Sequence, residues 1–371
     1  MKSRLIQHLA HGLLAWVLCV WSGNAKAEPT AEQQFLLELT NRMRGNPSAE
    51  LDLLVNLTVT GDWGSPKSDH LTVATALAFY NVSASALISQ WGTLTPAAPL
   101  AWNDQLAASA STYSNVLVSA DVNAHNLDGM TLGQRLTAGG FTSQRLDSAE
   151  SLFATASDVQ HAHAAFAIDW GPDGGSGTGI QPGATHRDVL MDPLLKEIGI
   201  GFQTIAIPLD NTEVTGPMVV TQHFSSQYRS NGVNLVSDAI LTGSIFDDSV
   251  LNDQFYTPGE GVDGALVFVY NNATNELVAS GQTNSAGGFN ITLTDLVEGV
   301  DYRVEAPDTG DDSQIFTITS RQENYGTLAS PVWVTLYDNV YASFTPVPEP
   351  GTLFLLFTAL MASARRRRSV F

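Results

Sequence analysis

Lys196-Glu197-Ile198-Gly199-Ile200-Gly201-Phe202, followed a short way on by Val220-Thr221-Gln222-His223-Phe224, is the stretch from which the fold of this 371-residue chain is read. Ile, Val and aromatic residues crowd both segments, so Glu197 to Ile207 and Pro217 to Phe224 read as strands. Upstream the period is helical. Phe35, Leu36, Leu39 and Met43 recur at helical spacing before Gly45-Asn46-Pro47, and Leu106, Ala110, Tyr113 and Leu117 mark a second helix. Val159, His163, Phe166 and Trp170 mark a third, and His186 to Met191 reads as a helical turn stopped by Pro193. Helices followed by a few strands imply a layered α/β arrangement. Leu51 to Pro99 is mixed and apolar and carries no motif.

After about Ser237 the period changes to two. Ala265 to Tyr270, Leu277 to Ser280, Phe289 to Leu293 and Tyr302 to Glu305 read as short strands, separated by Asn271-Asn272, Asn284 to Gly288 and Glu298-Gly299. That spacing predicts a smaller all-β sandwich, which divides the chain into a mixed domain over 28–235 and a β-domain over 236–345.

Both ends read as addresses. Lys2 and Arg4 precede an apolar run from Gly12 to Trp21 and then Ala25-Lys26-Ala27, the order of a signal peptide over residues 1–27. The only cysteine, Cys19, lies inside it, so the mature protein is expected to have no thiol, disulfide or thiolate metal site. At the other end, over 346–371, Val347-Pro348-Glu349-Pro350 precedes the uncharged run Gly351 to Ala364 and then four arginines, Arg365 to Arg368. This resembles the PEP-CTERM sorting tail of Gram-negative bacteria that make extracellular polysaccharide. The resemblance implies transient anchoring in the inner membrane by a short transmembrane helix, cutting near Pro348, Glu349 and Pro350 by an exosortase-type protease, and a final place at the cell surface or in the extracellular matrix. A plain tail anchor is the alternative reading.

The chain has 17 basic and 37 acidic residues, a net charge of −20. Residues 1–27 and the stretch from Gly351 on hold seven of the basic residues and none of the acidic ones, which leaves a net charge of −27 between them. Such a surface repels phosphate and excludes nucleic acid as a partner. A hydrophobic share of 44% excludes a disordered acidic chain.

Three residues of the mixed domain stand out: His125 in Ala-His-Asn, Glu150 in Ala-Glu-Ser, and His186 in Thr-His-Arg-Asp. Neutral imidazoles with a carboxylate hold Zn²⁺ or form an acid/base cluster, and spacing alone does not separate either from satisfied structural histidines. No Gly-x-Ser-x-Gly elbow or phosphate-binding loop occurs, and nothing identifies a nucleophile. The surrounding pieces are Leu39 to Arg44, Leu100 to Ala110, Ala124-His125-Asn126, Arg135 with Gly139-Gly140-Phe141, Ala167 to Trp170, His186 to Pro193, Lys196 to Phe202 and Val220 to Phe224. In this order, over about residues 31–226, they resemble the CAP superfamily of cysteine-rich secretory and pathogenesis-related proteins in its bacterial SCP-like form.

The resemblance implies a CAP-type α-β-α sandwich with a cleft lined by two histidines and two acids. By motif these are His125, His186 and Glu150, with Asp173 as the second acid and Asp169 competing for that place. It implies either an exported protein that binds a small ligand, a glycan or a cation there without catalysis, or a hydrolase dependent on a divalent cation, Zn or Ca, with Glu150 as general base. His163 reads as a core histidine, His161 as pointing elsewhere, and His223 as a strand residue within possible reach of the cleft. Extracellular polysaccharide is the macromolecular partner expected.

In the β-domain, Asp247, Asp248, Asn252, Asp253 and Glu260 place oxygen ligands in one inter-strand loop. Calcium takes six to eight such oxygens, so the loop is either a calcium site or a solvated acidic turn. Gly243-Ser244-Ile245-Phe246-Asp247, Gly259-Glu260-Gly261-Val262 and Thr283 to Phe289 resemble the B-type repeat domains of surface adhesins, although the acidic loop is one residue longer and lacks their central glycine.

Overall fold

A computed structural model describes residues 28–60, 65–142, 144–206, 214–310 and 313–346. The expected signal peptide, the Pro348-Glu349-Pro350 motif and the apolar and arginine segments after it lie outside the described residues.

Thr30 and Gln33 form a capping box that starts α1 (Ala31–Gly45), and Asn46 caps α2 (Pro47–Leu54), which has proline in its first turn. The stretch without a motif folds into β1 (Asn56–Thr60), β2 (Pro66–Lys67), α3 (Leu71–Phe79) and α4 (Ala84–Trp91). Next come β3 (Ala101–Trp102), α5 (Asp104–Ala120), α6 (Leu132–Ala138), β4 (Gln144–Ala156), α7 (Val159–Ile168) and α8 (Thr185–Met191). The two expected strands are β5 (Glu197–Thr204) and β6 (Met218–Ser230), the second running farther than its apolar residues suggest. α7 stops before Trp170 because Asp169 adopts a left-handed backbone with φ of 60°.

β6 lies between β4 and β5, antiparallel to both, and β3 runs parallel to β5. α5 covers one face of this sheet. Gly199 and Gly201 let it approach, since a Cβ on Gly199 would stand 1.9 Å from the Ala107 nitrogen. On the other face Ile198, Ile200, Val220 and Phe224 join Leu36, Leu39, Met43, Phe166 and Leu190 of α1, α7 and α8 in the main core. The result is the expected α/β layering.

The C-terminal region is β-rich as expected. It comprises β7 (Leu235–Ser237), β8 (Ala239–Ile245), β9 (Leu266–Asn271), β10 (Leu277–Gln282), β11 (Gly288–Leu293), β12 (Asp301–Glu305), β13 (Ser313–Thr317), β14 (Ser320–Asn324), β15 (Trp333–Tyr337) and β16 (Val340–Phe344). The sheets β11-β8-β16 and β10-β9-β12-β13 enclose a second core of Leu241, Val267, Val269, Phe289, Tyr302, Val304 and Phe344. β14 and β15 leave this sandwich: β15 pairs with β7 and β7 with β6, so the first domain's sheet grows to seven strands. The 235/236 division thus falls inside β7.

The two domains are bolted by polar groups, several of them buried. Tyr341 Oη donates to Glu38 at 2.6 Å, Asn339 Nδ2 to the carbonyls of Pro99 and Lys196 at 3.0 and 2.7 Å, and Lys196 Nζ to the carbonyls of Asp238 and Ser237 at 2.5 and 3.2 Å.

Candidate functional site

Glu150 lies on β4 directly opposite His223 of β6. Their neighbours Leu152, Ala154 and Val219 pack on Tyr113 and Leu117, so this parity faces α5. Tyr113 Oη donates to the Ala124 carbonyl at 2.6 Å and accepts the Leu127 N–H at 3.2 Å, which fixes the loop that carries His125. The Arg135 guanidinium, from α6, stacks 3.9 Å from the centre of the Tyr113 ring.

Four hydrogen bonds from three nitrogens converge on Glu150. Arg135 Nη2 reaches both carboxylate oxygens at 2.9 and 2.8 Å, His125 Nδ1 meets Oε1 at 2.7 Å and His223 Nε2 meets Oε2 at 2.7 Å. Arg135 Nη1 adds Asp128 at 3.1 Å. Burial pushes the Glu150 carboxyl up, but the bonds from His125 and His223 and the Arg135 charge outweigh it and hold it at about 2. An ionised acceptor draws a proton onto the imidazole nitrogen that faces it, so His125 turns Nε2 outward from a side chain 54% exposed. His223 is fully buried, and its Nδ1 has no partner among the described residues.

His186 makes a second carboxylate–imidazole pair. Its Nδ1 lies 2.7 Å from Asp169 Oδ1, its backbone N–H donates to Oδ2 at 2.9 Å, and Gln181 Nε2 adds a bond to Oδ1 at 2.8 Å. Of the two acids left open by sequence, Asp169 therefore partners the histidine and Asp173 does not. Asp173 accepts N–H groups of Gly175, Thr178 and Gly179 at 2.9, 2.7 and 3.1 Å, and those bonds hold its carboxyl at about 2. Its glycine-rich loop turns back on it and uses up its oxygens. Among the described residues no hydrogen bond or ion pair joins the His186–Asp169 pair to the Glu150 cluster.

Sequence reasoning left His223 between two readings and did not assign Arg135 a role; the guanidinium is the residue that defines the cluster. The only signal for it in the sequence is its place shortly before Gly139-Gly140-Phe141. His163 is a core histidine, with Nε2 2.8 Å from Glu50. His161 does not point away from the core as expected: it stacks on Trp170 with ring centres 5.6 Å apart, because Ser157, before the start of α7, donates its N–H to Nδ1 at 3.0 Å and holds the ring in.

A resident cation would need three or more side chains with free lone pairs at one point. Among the described residues no three His, Cys, Asp or Glu side chains are grouped to hold one, and the Glu150 oxygens already face the N–H groups of Arg135 and two imidazoles. In the β-domain loop, Glu260 accepts the N–H groups of Val250, Leu251 and Thr257 at 2.9, 3.0 and 2.7 Å. Asp248 accepts those of Asp253 and Gln254, Asp253 that of Phe255, and Asp247 the Ser249 hydroxyl, while the Asn252 side chain makes no hydrogen bond among the described residues. These carboxylates close their own turn.

The low Glu150 value has a measurable consequence. A carboxyl that titrates near 4.5 when unfolded and about 2 when folded stabilises the fold above 4.5, and that contribution is lost as the pH falls toward 2. Between pH 5 and pH 3, urea unfolding of the natural protein should lose about 2 kcal/mol more than that of Glu150→Gln. Equal losses in the two proteins would refute the assignment.

Residues 37–206 match the model of the cysteine-rich secretory protein family, CAP, and residues 346–368 match the PEP-CTERM protein-sorting motif. An extracellular protein containing an SCP domain from Bacillus anthracis str. Ames is 21% identical over 38% of this chain and 37% of its own, with a TM-score of 0.25. An outer surface protein from Borrelia burgdorferi is 16% identical over 40% of this chain and 90% of its own, also with a TM-score of 0.25. The chain thus spans little more than a third of the Bacillus protein. No curated protein matches. The chain carries a CAP domain and a PEP-CTERM motif, a signal for exosortase-type processing, and these matches leave the adhesin B-type resemblance unconfirmed.

Proposed function

We propose that this exported, cell-surface CAP protein is a binding module rather than a hydrolase, and that His125 and His186 meet a small polar ligand or glycan through Nε2. The observation that carries this reading is the saturation of Glu150. A general base needs a free lone pair and a pKa near the working pH, and a carboxylate held at about 2 by four N–H contacts has neither. Among the described residues no hydroxyl is hydrogen-bonded to the ring of His125 or His186, so neither pair is set to activate a nucleophile. What remains is two imidazoles, each oriented through Nδ1 by a carboxylate and each free at Nε2 to bond a hydroxyl or amide. On this reading the chain passes through the inner membrane of a Gram-negative cell, is cut near Pro348-Glu349-Pro350 and is left among extracellular polysaccharide.

The test has two arms. Full-length protein, with Zn²⁺ or Ca²⁺ added, should turn over no ester, peptide or glycoside substrate in a His125- or His186-dependent way. Mass spectrometry of protein exposed to a culture extract should find small molecules retained by the natural chain and lost from His125→Ala/His186→Ala. Cation-dependent turnover abolished by either substitution would overturn the proposal, as would identical retention by both proteins.

A further inference from the structure

A groove of about 760 Å³ lies between the domains, walled by the β3–α5 junction on one side and the outer face of β11 on the other. It lies within the size range of small-molecule sites, and neither His125 nor His186 lines it. Gln105 and Gln282 line it and are exposed, and their side-chain amides make no hydrogen bond among the described residues. Asn290 accepts the Trp102 N–H at 3.3 Å and Asn284 accepts two turn N–H groups, but neither donates its own NH₂. The exposed Thr292 hydroxyl, two residues along β11, also has no partner among the described residues. β alternation explains the arrangement: Phe289, Ile291 and Leu293 fill the sandwich core, so Asn290 and Thr292 must face out.

An independent feature lies in the groove lining. Glu197 is 3% exposed, and both of its hydrogen bonds, from Asn103 Nδ2 at 2.7 Å and Gln227 Nε2 at 3.1 Å, go to Oε1. Oε2 has no partner among the described residues. Glu197 lines the groove, so a donor that enters it can reach Oε2. Burial pushes this carboxyl up, so it gains a proton readily and can then donate as well as accept.

We propose that this interdomain groove binds a neutral oligosaccharide. Unpaired amides and a hydroxyl offer donors and acceptors side by side, which matches the adjacent hydroxyls of a sugar ring. Charge decides against anionic alternatives: Glu28 and Asp104 line the groove and repel phosphate or uronate groups. The site is separate from the imidazole pairs and stands or falls without them.

Isothermal titration of full-length protein with a panel of neutral oligosaccharides (β-glucan, chitin, xylan and mannan pentamers) and with alginate pentamer as the anionic control tests it. At least one neutral pentamer should bind, with alginate weaker. Gln105→Ala/Gln282→Ala should weaken that binding about tenfold, the loss expected for two hydrogen bonds. His125→Ala should leave it unchanged, which separates this site from the one proposed above. Because both glutamines are exposed and unbonded, the double variant should keep the natural melting temperature. Absence of binding by every neutral pentamer, full affinity in the double variant, or loss in His125→Ala would each overturn the proposal.

Discussion

Arg44→Met is expected to destabilise the protein by about 3–5 kcal/mol in urea unfolding, the range seen when a buried charged network loses a member. Arg44 is fully buried at the end of α1 and touches no carboxylate within hydrogen-bond distance. Instead its fork donates to four backbone carbonyls: Ala98 at 2.6 Å, Leu190 at 2.6 Å, Asp192 at 3.1 Å and Leu195 at 3.2 Å. Burial lowers its pKa to about 9, with the nearby Asp192 charge opposing. Methionine fills similar space without a donor, so the Ala98, Leu190 and Leu195 carbonyls would each lose this bond in a dry core, at about 1–3 kcal/mol for a carbonyl left unpaired, while that of Asp192 keeps the Leu195 N–H. The α8–β5 connection would loosen first, and with it the frame that sets His186 on Asp169. A loss below about 1 kcal/mol would show that water replaces the guanidinium and that the junction is not dry.

The residue types that gave themselves away in the sequence share a property: their neighbours along the chain are also their neighbours in the fold. α1, α5 and α7 show their inner faces at helical spacing, and β5 and β6 show continuous apolar runs because both faces are covered. β4 hides because Leu152 and Ala154 face α5 while Phe153 faces the other core, and register shifts at both ends break the alternation. α3 and α4 hide for the opposite reason. They carry no charged residue to mark an outer face, and Leu71 and Phe79 are exposed although apolar. Pairings between distant segments are the least visible: nothing in Trp333 to Tyr337 announces a parallel partner at Leu235 to Ser237.

The site was legible to the same extent. His125 and Glu150 could be named through a family pattern, but the guanidinium that changes their chemistry comes from a helix whose approach no spacing reveals. Asp173 and Asp169 differ only in what their backbones do. Asp169 ends α7 in a left-handed turn that aims its carboxylate at α8, whereas the glycines after Asp173 fold their N–H groups onto its side chain.

Gly199→Ala should cost more than about 3 kcal/mol, or prevent folding, since overpacking against backbone leaves nothing free to rotate away. A Cβ there would lie 1.9 Å from the Ala107 nitrogen, 2.1 Å from the Leu106 carbonyl carbon and 2.6 Å from the Ala107 Cα. All three are main-chain atoms of α5, held by the Asn103 cap and by Ser114, whose hydroxyl donates to the Gly201 carbonyl at 3.1 Å. Relief requires α5 to lift from β5. That motion would carry away Tyr113, which anchors the His125 loop and the Arg135 guanidinium, so the Glu150 cluster should come apart together with the packing. Gly45→Ala supplies the control: nothing lies within 4 Å of its added Cβ at the end of α1, and the change should be neutral or stabilising by up to about 1 kcal/mol. Urea unfolding of both variants, with the His125 ring proton followed by NMR, reads the two effects together. A Gly199→Ala protein as stable as Gly45→Ala, with an unshifted His125 signal, would mean that α5 does not seat on the glycines of β5 and that the cluster owes its geometry to something other than this close approach.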